Sequence, residues 1–363
     1  MFKATVQPDV ISYNAAISAC EKGGQWQQAL EFLEALPKAN MQPNVISYSA
    51  GISACEKGGQ WQQALKLFES MARADVYPNV ISYCAAISAC EKGGQWQQAL
   101  LLFSFMINAR VQPNVVSYSA SISACEKSGQ WLQALMLFEA MPKATVEPNV
   151  ISYNTSISAC EKGRQWQQAL KLFEDMPAAR VLPDVISYCA TMSACQKEEQ
   201  WQPVLTLLEA MPKANIQPTV ISFSAGISAC EKGSRWQQAL LLFAAMPLAK
   251  AQPNVISYNA AVSACEKGGQ WRRASILLES MPKAKVLPDV ITYCTAMSAC
   301  EKGGQWQQAL WLFDAMPKAK VLPDMVTFGA AIGACEKGGH QRRALILFEG
   351  IAEQVVLLHC FLR

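Results

Sequence analysis

Apolar residues return along this chain at helical spacing, and the helices they predict come in pairs. Between Val45 and Cys55, the apolar positions Val45, Tyr48, Ile52 and Cys55 stand three or four apart and line one face of a helix. From Gln60 to Met71 a second run places Trp61, Ala64, Leu65 and Phe68 on one face. Gly58-Gly59 between them ends the first helix, because glycine tolerates the left-handed backbone of a C-terminal cap. Asn44 stands just before the first run, where its side-chain oxygen can accept from an otherwise unpaired amide. In most units a Met-Pro pair such as Met141-Pro142 follows the second run. It is expected to stop that helix, since proline lacks the amide and crowds the preceding turn. One unit is therefore a helical hairpin closed by a short linker ending in a pair such as Pro78-Asn79.

The hairpin recurs at a fixed step of 35 residues. Pro8, Pro43, Pro78, Pro113, Pro148, Pro183, Pro218, Pro253, Pro288 and Pro323 follow it, as do the rows Cys20 to Cys335, Lys22 to Lys337 and Trp26 to Trp306. The expected layout is nine complete units: 10–44, 45–79, 80–114, 115–149, 150–184, 185–219, 220–254, 255–289 and 290–324. An incomplete tenth follows at 325–354, with Gln341 in the tryptophan slot, and then an atypical tail at 355–363. Residues 1–9 resemble 141–149, so the chain is expected to open on the last turn of a preceding second helix, as a fragment would. A lone hairpin cannot bury its apolar face, and neighbours must stack into an all-α solenoid. Small residues such as Ala15-Ala16, Ala50-Gly51 and Ala120-Ser121 allow the first helices to approach closely.

On the first helix, Tyr13, Ile17 and Cys20 point into the stack, while Ile11, Asn14, Ser18 and Lys22 form a separate stripe expected to be open. Each stripe begins with a large aliphatic residue: Ile11, Ile46, Ile81, Val116, Ile151, Ile186, Ile221, Ile256, Ile291 and Val326. At the Asn14 position the units vary: Asn14, Ser49, Cys84, Ser119, Asn154, Cys189, Ser224, Asn259, Cys294 and Gly329. The last position of each unit varies too: Asn44, Asn79, Asn114, Asn149, Asp184, Thr219, Asn254, Asp289 and Asp324. Positions around these two barely change. An aliphatic clamp, a varied hydrogen-bonding pair and a lysine row (Lys22, Lys57, Lys92, Lys127, Lys162, Lys197, Lys232, Lys267, Lys302) suit the base faces, base edges and phosphates of a single strand.

Composition narrows the classes. With 363 residues, 51% hydrophobic and 16% charged, the chain is not disordered, and no apolar run approaches the ~20 residues of a membrane span. A net charge of +3 does not by itself mark a nucleic-acid binder, and the glutamate preceding most of the lysines explains the modest total. Length alone suggests two globular domains of roughly 150 residues each, an estimate the repeat overrides. Two histidines and the absence of any Cys-x-x-Cys pair leave no metal spacing, and no catalytic constellation or cofactor motif emerges.

The 35-residue unit resembles the pentatricopeptide repeat in its plain P-type form, through the Tyr48, Ala64-Leu65, Phe68, Met71 and Pro78 positions, over nearly the whole chain. Arrays this uniform are similar to those of dinoflagellate algae and of plant organellar relatives. The departures are Cys55-Glu56, the small residues at Gly51 and its equivalents, and Trp61 in a usually aliphatic slot. The resemblance implies a right-handed α-solenoid superhelix that binds single-stranded RNA, one base per unit, from its 5′ end. It implies that the two varied positions choose the base. Ser49/Asn79, Ser119/Asn149 and Ser224/Asn254 would favour adenine, Asn154/Asp184 and Asn259/Asp289 uracil, and Asn14/Asn44 a pyrimidine. Cys84/Asn114, Cys189/Thr219 and Cys294/Asp324 fall outside the understood combinations, giving 5′-YANAUNAUN-3′ as the expected target. The family further implies a monomer in a chloroplast or mitochondrion that stabilises, processes or helps translate transcripts, with protein partners supplying any catalytic activity and no membrane partner.

Other readings stand beside these. The row from Asp9 to Asp324 consists of competent N-caps, each typically worth ~1 kcal/mol, and capping alone accounts for it. Stacked helices lie about 8–10 Å apart, too far for disulfides between adjacent units, so the ten regularly spaced cysteines read as buried thiols, with Cys84, Cys189 and Cys294 on the open stripe. The tryptophans read as packing residues rather than base-stacking platforms, and the lysines equally complement helix ends. A protein-binding solenoid that takes an extended peptide is the alternative from another class.

Overall fold

The computed structural model describes residues 8–349, which are helical with no strand among them. Most of the expected N-terminal remnant and the tail at 355–363 lie outside the described residues. The chain divides into two compact bodies, Met1–Pro183 and Asp184–Arg363. In the first, the leading helices are α1 (Val10–Lys22), α3 (Val45–Lys57), α5 (Val80–Lys92), α7 (Val115–Lys127) and α9 (Val150–Lys162). Each is followed by its partner: α2 (Trp26–Lys38), α4 (Trp61–Arg73), α6 (Trp96–Asn108), α8 (Trp131–Lys143) and α10 (Trp166–Ala178). In the second body the leading helices are α11 (Val185–Lys197), α13 (Val220–Lys232), α15 (Val255–Lys267), α17 (Val290–Lys302) and α19 (Met325–Lys337). Their partners are α12 (Trp201–Lys213), α14 (Trp236–Leu248), α16 (Trp271–Ser280) and α18 (Trp306–Lys318), with residues 341–349 helical after α19.

Within each body the leading helices pack on one another in series, and each second helix packs on its own leading helix and on the next. A leading helix in the interior of a body is thus enclosed by four neighbours, which explains its small residues. A Cβ on Gly51 would already meet Leu33 at 3.3 Å and Leu67 at 3.4 Å, so the side chains of α2 and α4 close over that position. The fully buried Ile17, Ile52, Ile87 and Ile122 with Met71, Met106 and Met141 form the spine of the core. Phe68 meets Tyr83 of the following hairpin edge to face at 4.9 Å, a contact repeated by Phe103 with Tyr118 and Phe138 with Tyr153. The cysteines of the regular row are buried free thiols, as expected, and burial pushes those of Cys55, Cys90 and Cys125 up to about 11.

The ends of the helices differ from expectation in two respects. Pro142 does not stop α8, which continues to Lys143. The proline-free α4 ends at the same register, at Arg73. What stops both is the left-handed residue that follows, Thr145 at φ 59° and Asp75 at φ 54°, after which the Val146 amide donates back to the Met141 carbonyl and that of Val76 to Met71. Of the Gly58-Gly59 pair, only Gly59 is left-handed, at φ 69°. Gly58 has an ordinary helical φ of −77°, and its lack of a side chain serves packing: a Cβ there would fall 2.4 Å from Cδ1 of Trp26. The expected packing role of the tryptophans therefore has a specific form, an indole laid on the helix end of the next hairpin. It recurs at Trp61 on Gly93, Trp131 on Gly163, Trp201 on Gly233, Trp236 on Gly268 and Trp306 on Gly338.

Candidate nucleic-acid interface

The N-terminal turns of the leading helices carry the aliphatic ladder at the surface. Ile46 is 61% exposed, Ile151 64% and Ile256 65%, and Ile11, Ile81, Val116, Ile186, Ile221, Ile291 and Val326 are likewise open. Burying such a side chain is worth about 1.5–3 kcal/mol, so the ladder leaves that much unclaimed at every hairpin. The neighbouring Val45 and Tyr48 turn inward, as the wheel requires.

The two varied positions meet. Each last residue caps the next leading helix: Asn44 accepts from the Ser47 amide at 3.1 Å, Asn79 from Ser82 at 3.0 Å and Asp289 from Thr292 at 2.8 Å. The capping reading is therefore correct along the row, from Asp9 to Asp324. The same caps also face the residue thirty positions earlier. Asn14 Nδ2 donates to Asn44 Oδ1 at 3.3 Å, and Asn259 Nδ2 to both oxygens of Asp289 at 3.2 Å. The Cys84 thiol donates to Asn114 Oδ1 at 3.4 Å. A further row joins them: the hydroxyls at the third position of each leading helix, buried in every one after α1. Ser47 donates to Asn14 Oδ1 at 2.6 Å, Thr292 to Asn259 Oδ1 at 2.6 Å, and Ser49 bonds to Ser82 at 3.0 Å. The signal for this row was a Ser or Thr three residues after every cap, the reciprocal partner of a capping box.

The stripe is less open than its polarity predicts. Asn14, Ser49, Cys84 and Asn154 are buried, and Ser119, Cys189, Ser224, Asn259 and Cys294 half-buried. Within each body the following helix start, which supplies the cap, shades them, so the varied residues form the floor of a trough whose rims are the aliphatic side chains. Cys84 is consequently not on an open surface, and burial pushes its thiol up to about 11. Burial also raises the Cys189 and Cys294 thiols, and the nearby charges of Asp184 and Asp324 respectively reinforce this.

The start of α9 closes over α7 to leave a cavity on this face. This cavity of about 310 Å³ is lined by Val116 and Ile151 from successive hairpins, with Ser119, Asn149, Ser123 and Glu91 among its walls. The Ser119 hydroxyl is buried without a hydrogen-bond partner, and so is that of Ser224 at the equivalent position. A buried hydroxyl left without a partner is costly and normally finds one, so these two orphans mark acceptor or donor capacity held in reserve.

The lysine row is not free. Charge cancellation was expected within each Glu-Lys dipeptide, but the lysine reaches the glutamate of the preceding hairpin, 36 residues back. Lys57 lies 2.9 Å from Glu21, Lys92 2.6 Å from Glu56, Lys127 2.7 Å from Glu91 and Lys162 2.8 Å from Glu126. In the second body Lys267, Lys302 and Lys337 repeat the pairing with Glu231, Glu266 and Glu301. Lys232 reaches the backbone carbonyl of Gln196 instead, because glutamine replaces glutamate there. Among the described residues there is no cluster able to hold a metal ion, and no helix is long and apolar enough to cross a membrane.

The profile of the PPR repeat family matches residues 8–57, 78–127, 113–162, 148–197 and 253–302. The pentatricopeptide repeat domain matches 206–270, and a second PPR repeat profile matches 46–76 and 291–321. No curated protein matches the sequence. Among solved structures, the chain is similar to the pentatricopeptide repeat protein PPR10 in complex with an 18-nt psaJ RNA element. The TM-score is 0.62 at 18% identity, covering 95% of this chain and 55% of that one. A cysteine-to-serine variant of PPR10 with the same element gives the same values, and PPR10 from maize gives a TM-score of 0.47 at 18% identity, covering 96% and 59%. The chain thus spans about half the length of these neighbours.

Proposed function

Because the chain belongs to the pentatricopeptide repeat family, we propose that it binds single-stranded RNA along the trough of its leading helices, one base to each hairpin. The observation that carries this reading is the cavity in which Val116 and Ile151 flank Ser119 and Asn149: two aliphatic walls about a polar floor, the chemistry needed to hold a base by its faces and address its edge. The RNA in the PPR10 complex supports it. Cross-hairpin hydrogen bonds join the two varied residues in three pairs, Asn14/Asn44, Cys84/Asn114 and Asn259/Asp289, which supports a single base edge addressing both members.

On this reading Ser/Asn pairs take adenine, Asn/Asp pairs uracil and Asn14/Asn44 a pyrimidine, and the target is 5′-YANAUNAUN-3′. The ladder sandwiches the bases and the lysines approach the phosphates. The chain acts by binding rather than catalysis, in a chloroplast or mitochondrion, with any processing of the transcript supplied by protein partners. A peptide-binding solenoid is the competing reading, favoured by the low net charge and the aliphatic rims.

Selection from a randomised RNA pool tests both. The expected product is an RNA carrying the motif, and combining Asn259→Ser with Asp289→Asn should change the eighth base from uracil to adenine. A selection that returns no motif, or a motif indifferent to that pair of substitutions, overturns the reading in favour of a protein ligand.

A further inference from the structure

We propose that the glutamate row on the leading helices is an electrostatic brake on sequence-independent binding, which cancels the lysines paired with it so that affinity has to come from the bases. The inference rests on the RNA-binding reading above only in taking the ligand to be a polyanion.

The placement of Glu91 carries it. This carboxylate is on the wall of the cavity formed by Val116, Ser119, Asn149 and Ile151, beside the expected path of a strand. Its Oε1 accepts from Ser123 at 2.9 Å and from Lys127 at 2.7 Å, so two side chains of the next hairpin fix it in place. Glu231 repeats the arrangement, accepting from Ser263 at 2.9 Å and pairing with Lys267 at 2.8 Å. The pairs are asymmetric: the glutamates are 15–17% exposed at Glu126, Glu56 and Glu91, while Lys162, Lys92 and Lys127 are 41–46% exposed.

A lysine in this arrangement can turn to a phosphate, but the carboxylate cannot leave. Each lysine–phosphate contact therefore brings a phosphate towards a fixed negative charge, and the counterion-driven gain that a free lysine would give is largely cancelled. The ordinary electrostatic term treats all sequences alike, so removing it leaves the base contacts to decide occupancy. The sixth hairpin is a natural control. Gln196 stands in the glutamate position, and Lys232 is held by a neutral carbonyl 3.2 Å away, so its charge is not cancelled by this row.

The test uses the full chain and two labelled RNAs, one carrying the motif and one an oligocytidylate, titrated between about 50 and 200 mM salt. The combined variant Glu56→Gln, Glu91→Gln and Glu126→Gln should steepen the dependence of log affinity on log salt by about 2, near 0.7 per released lysine. It should tighten both RNAs by a similar factor, about tenfold or more at the lowest salt. Gln196→Glu should act oppositely, flattening the slope by about 0.7, and because it adds a pair it remains informative if the triple variant fails to fold. Slopes unchanged in either direction overturn the brake. Base selectivity in the parent with unresponsive slopes leaves the binding reading intact and removes the brake alone. Responsive slopes with no base selectivity do the reverse, and no binding by any variant sinks both.

Discussion

The indole of Trp26 lies across the Cα of Gly58, so close that a Cβ there would stand 2.4 Å from Cδ1 and 2.8 Å from Cγ. The two residues belong to successive hairpins, and the contact recurs along both bodies wherever tryptophan and glycine hold those positions. The contact leaves no room between the indole and the helix end of the next hairpin.

Gly58→Ala is therefore an overpacking substitution, expected to cost about 1–3 kcal/mol in urea-induced unfolding. Gly59→Ala meets no neighbour within 4 Å and pays only for the left-handed backbone, about 1–2 kcal/mol. Arg164, Glu199 and Ser234 already adopt that conformation at equivalent positions, at φ 55–60°. Ser128 occupies the site equivalent to Gly58. Ser128→Gly should raise the unfolding midpoint, which no account based on helix propensity predicts. A midpoint unmoved by Gly58→Ala would show that the indole yields freely.

Pro142→Ala should leave α8 ending where it does. The proline lies in the last turn of a helix whose closure is made by Thr145 and by the Val146 amide bonding to Met141. Thr145→Gly, which relieves a β-branched residue at φ 59°, should stabilise by about 0.5–1 kcal/mol or more. Hydrogen exchange of the Val146 amide reads both, and faster exchange in Pro142→Ala would restore the proline as the stop.

The buried thiols set an alkaline limit. Burial holds Cys55, Cys90, Cys125, Cys230 and Cys265 up at about 11 and Cys160 and Cys195 at about 12, against 9.0 for an unburied thiol. Below pH 9 these thiols are protonated in both states and their contribution to stability is complete. Above it the unfolded chain ionises first, so stability falls as pH rises from about 9 towards 11 or 12, by up to about 1.4 kcal/mol per pH unit for each thiol. The thermal midpoint should hold steady to pH 9 and then drop, less steeply when several of these cysteines are replaced by alanine. A midpoint flat to pH 10.5 would contradict the burial.

What the sequence reveals and what it hides divide along one line. The hairpins, their caps, the buried cysteines and the exposed ladder come from patterns within a single unit, where neighbours in space are three or four residues apart. Contacts between units span 30 to 36 residues and have no local periodicity to betray them: Asn14 to Asn44, Trp26 to Gly58, Lys57 to Glu21. The adjacency of Glu and Lys in the dipeptide suggests that they cancel each other, although adjacent helical residues do not face each other. The polarity of the Asn14 stripe suggests exposure, whereas the helix start that shades it is contributed by the following hairpin. All of these contacts fall at one repeat length plus or minus a few residues.

The two orphan hydroxyls give the last prediction. Ser119 and Ser224 bury an Oγ without a partner, whereas Ser49 at the same register shares a 3.0 Å bond with Ser82. An unsatisfied buried hydroxyl costs about 1–3 kcal/mol, and a satisfied one contributes about 0.5–1.5 kcal/mol. Ser119→Ala and Ser224→Ala should therefore leave stability unchanged or raise it, while Ser49→Ala lowers it. If Ser119 serves a base in the cavity it borders, the stabilised variant should bind the selected RNA more weakly, with the loss confined to the fourth base. That combination, more stable and less selective, separates a hydroxyl kept for a ligand from one kept for the fold. A Ser119→Ala chain that is less stable, or equally selective at the fourth base, would assign the hydroxyl to packing alone.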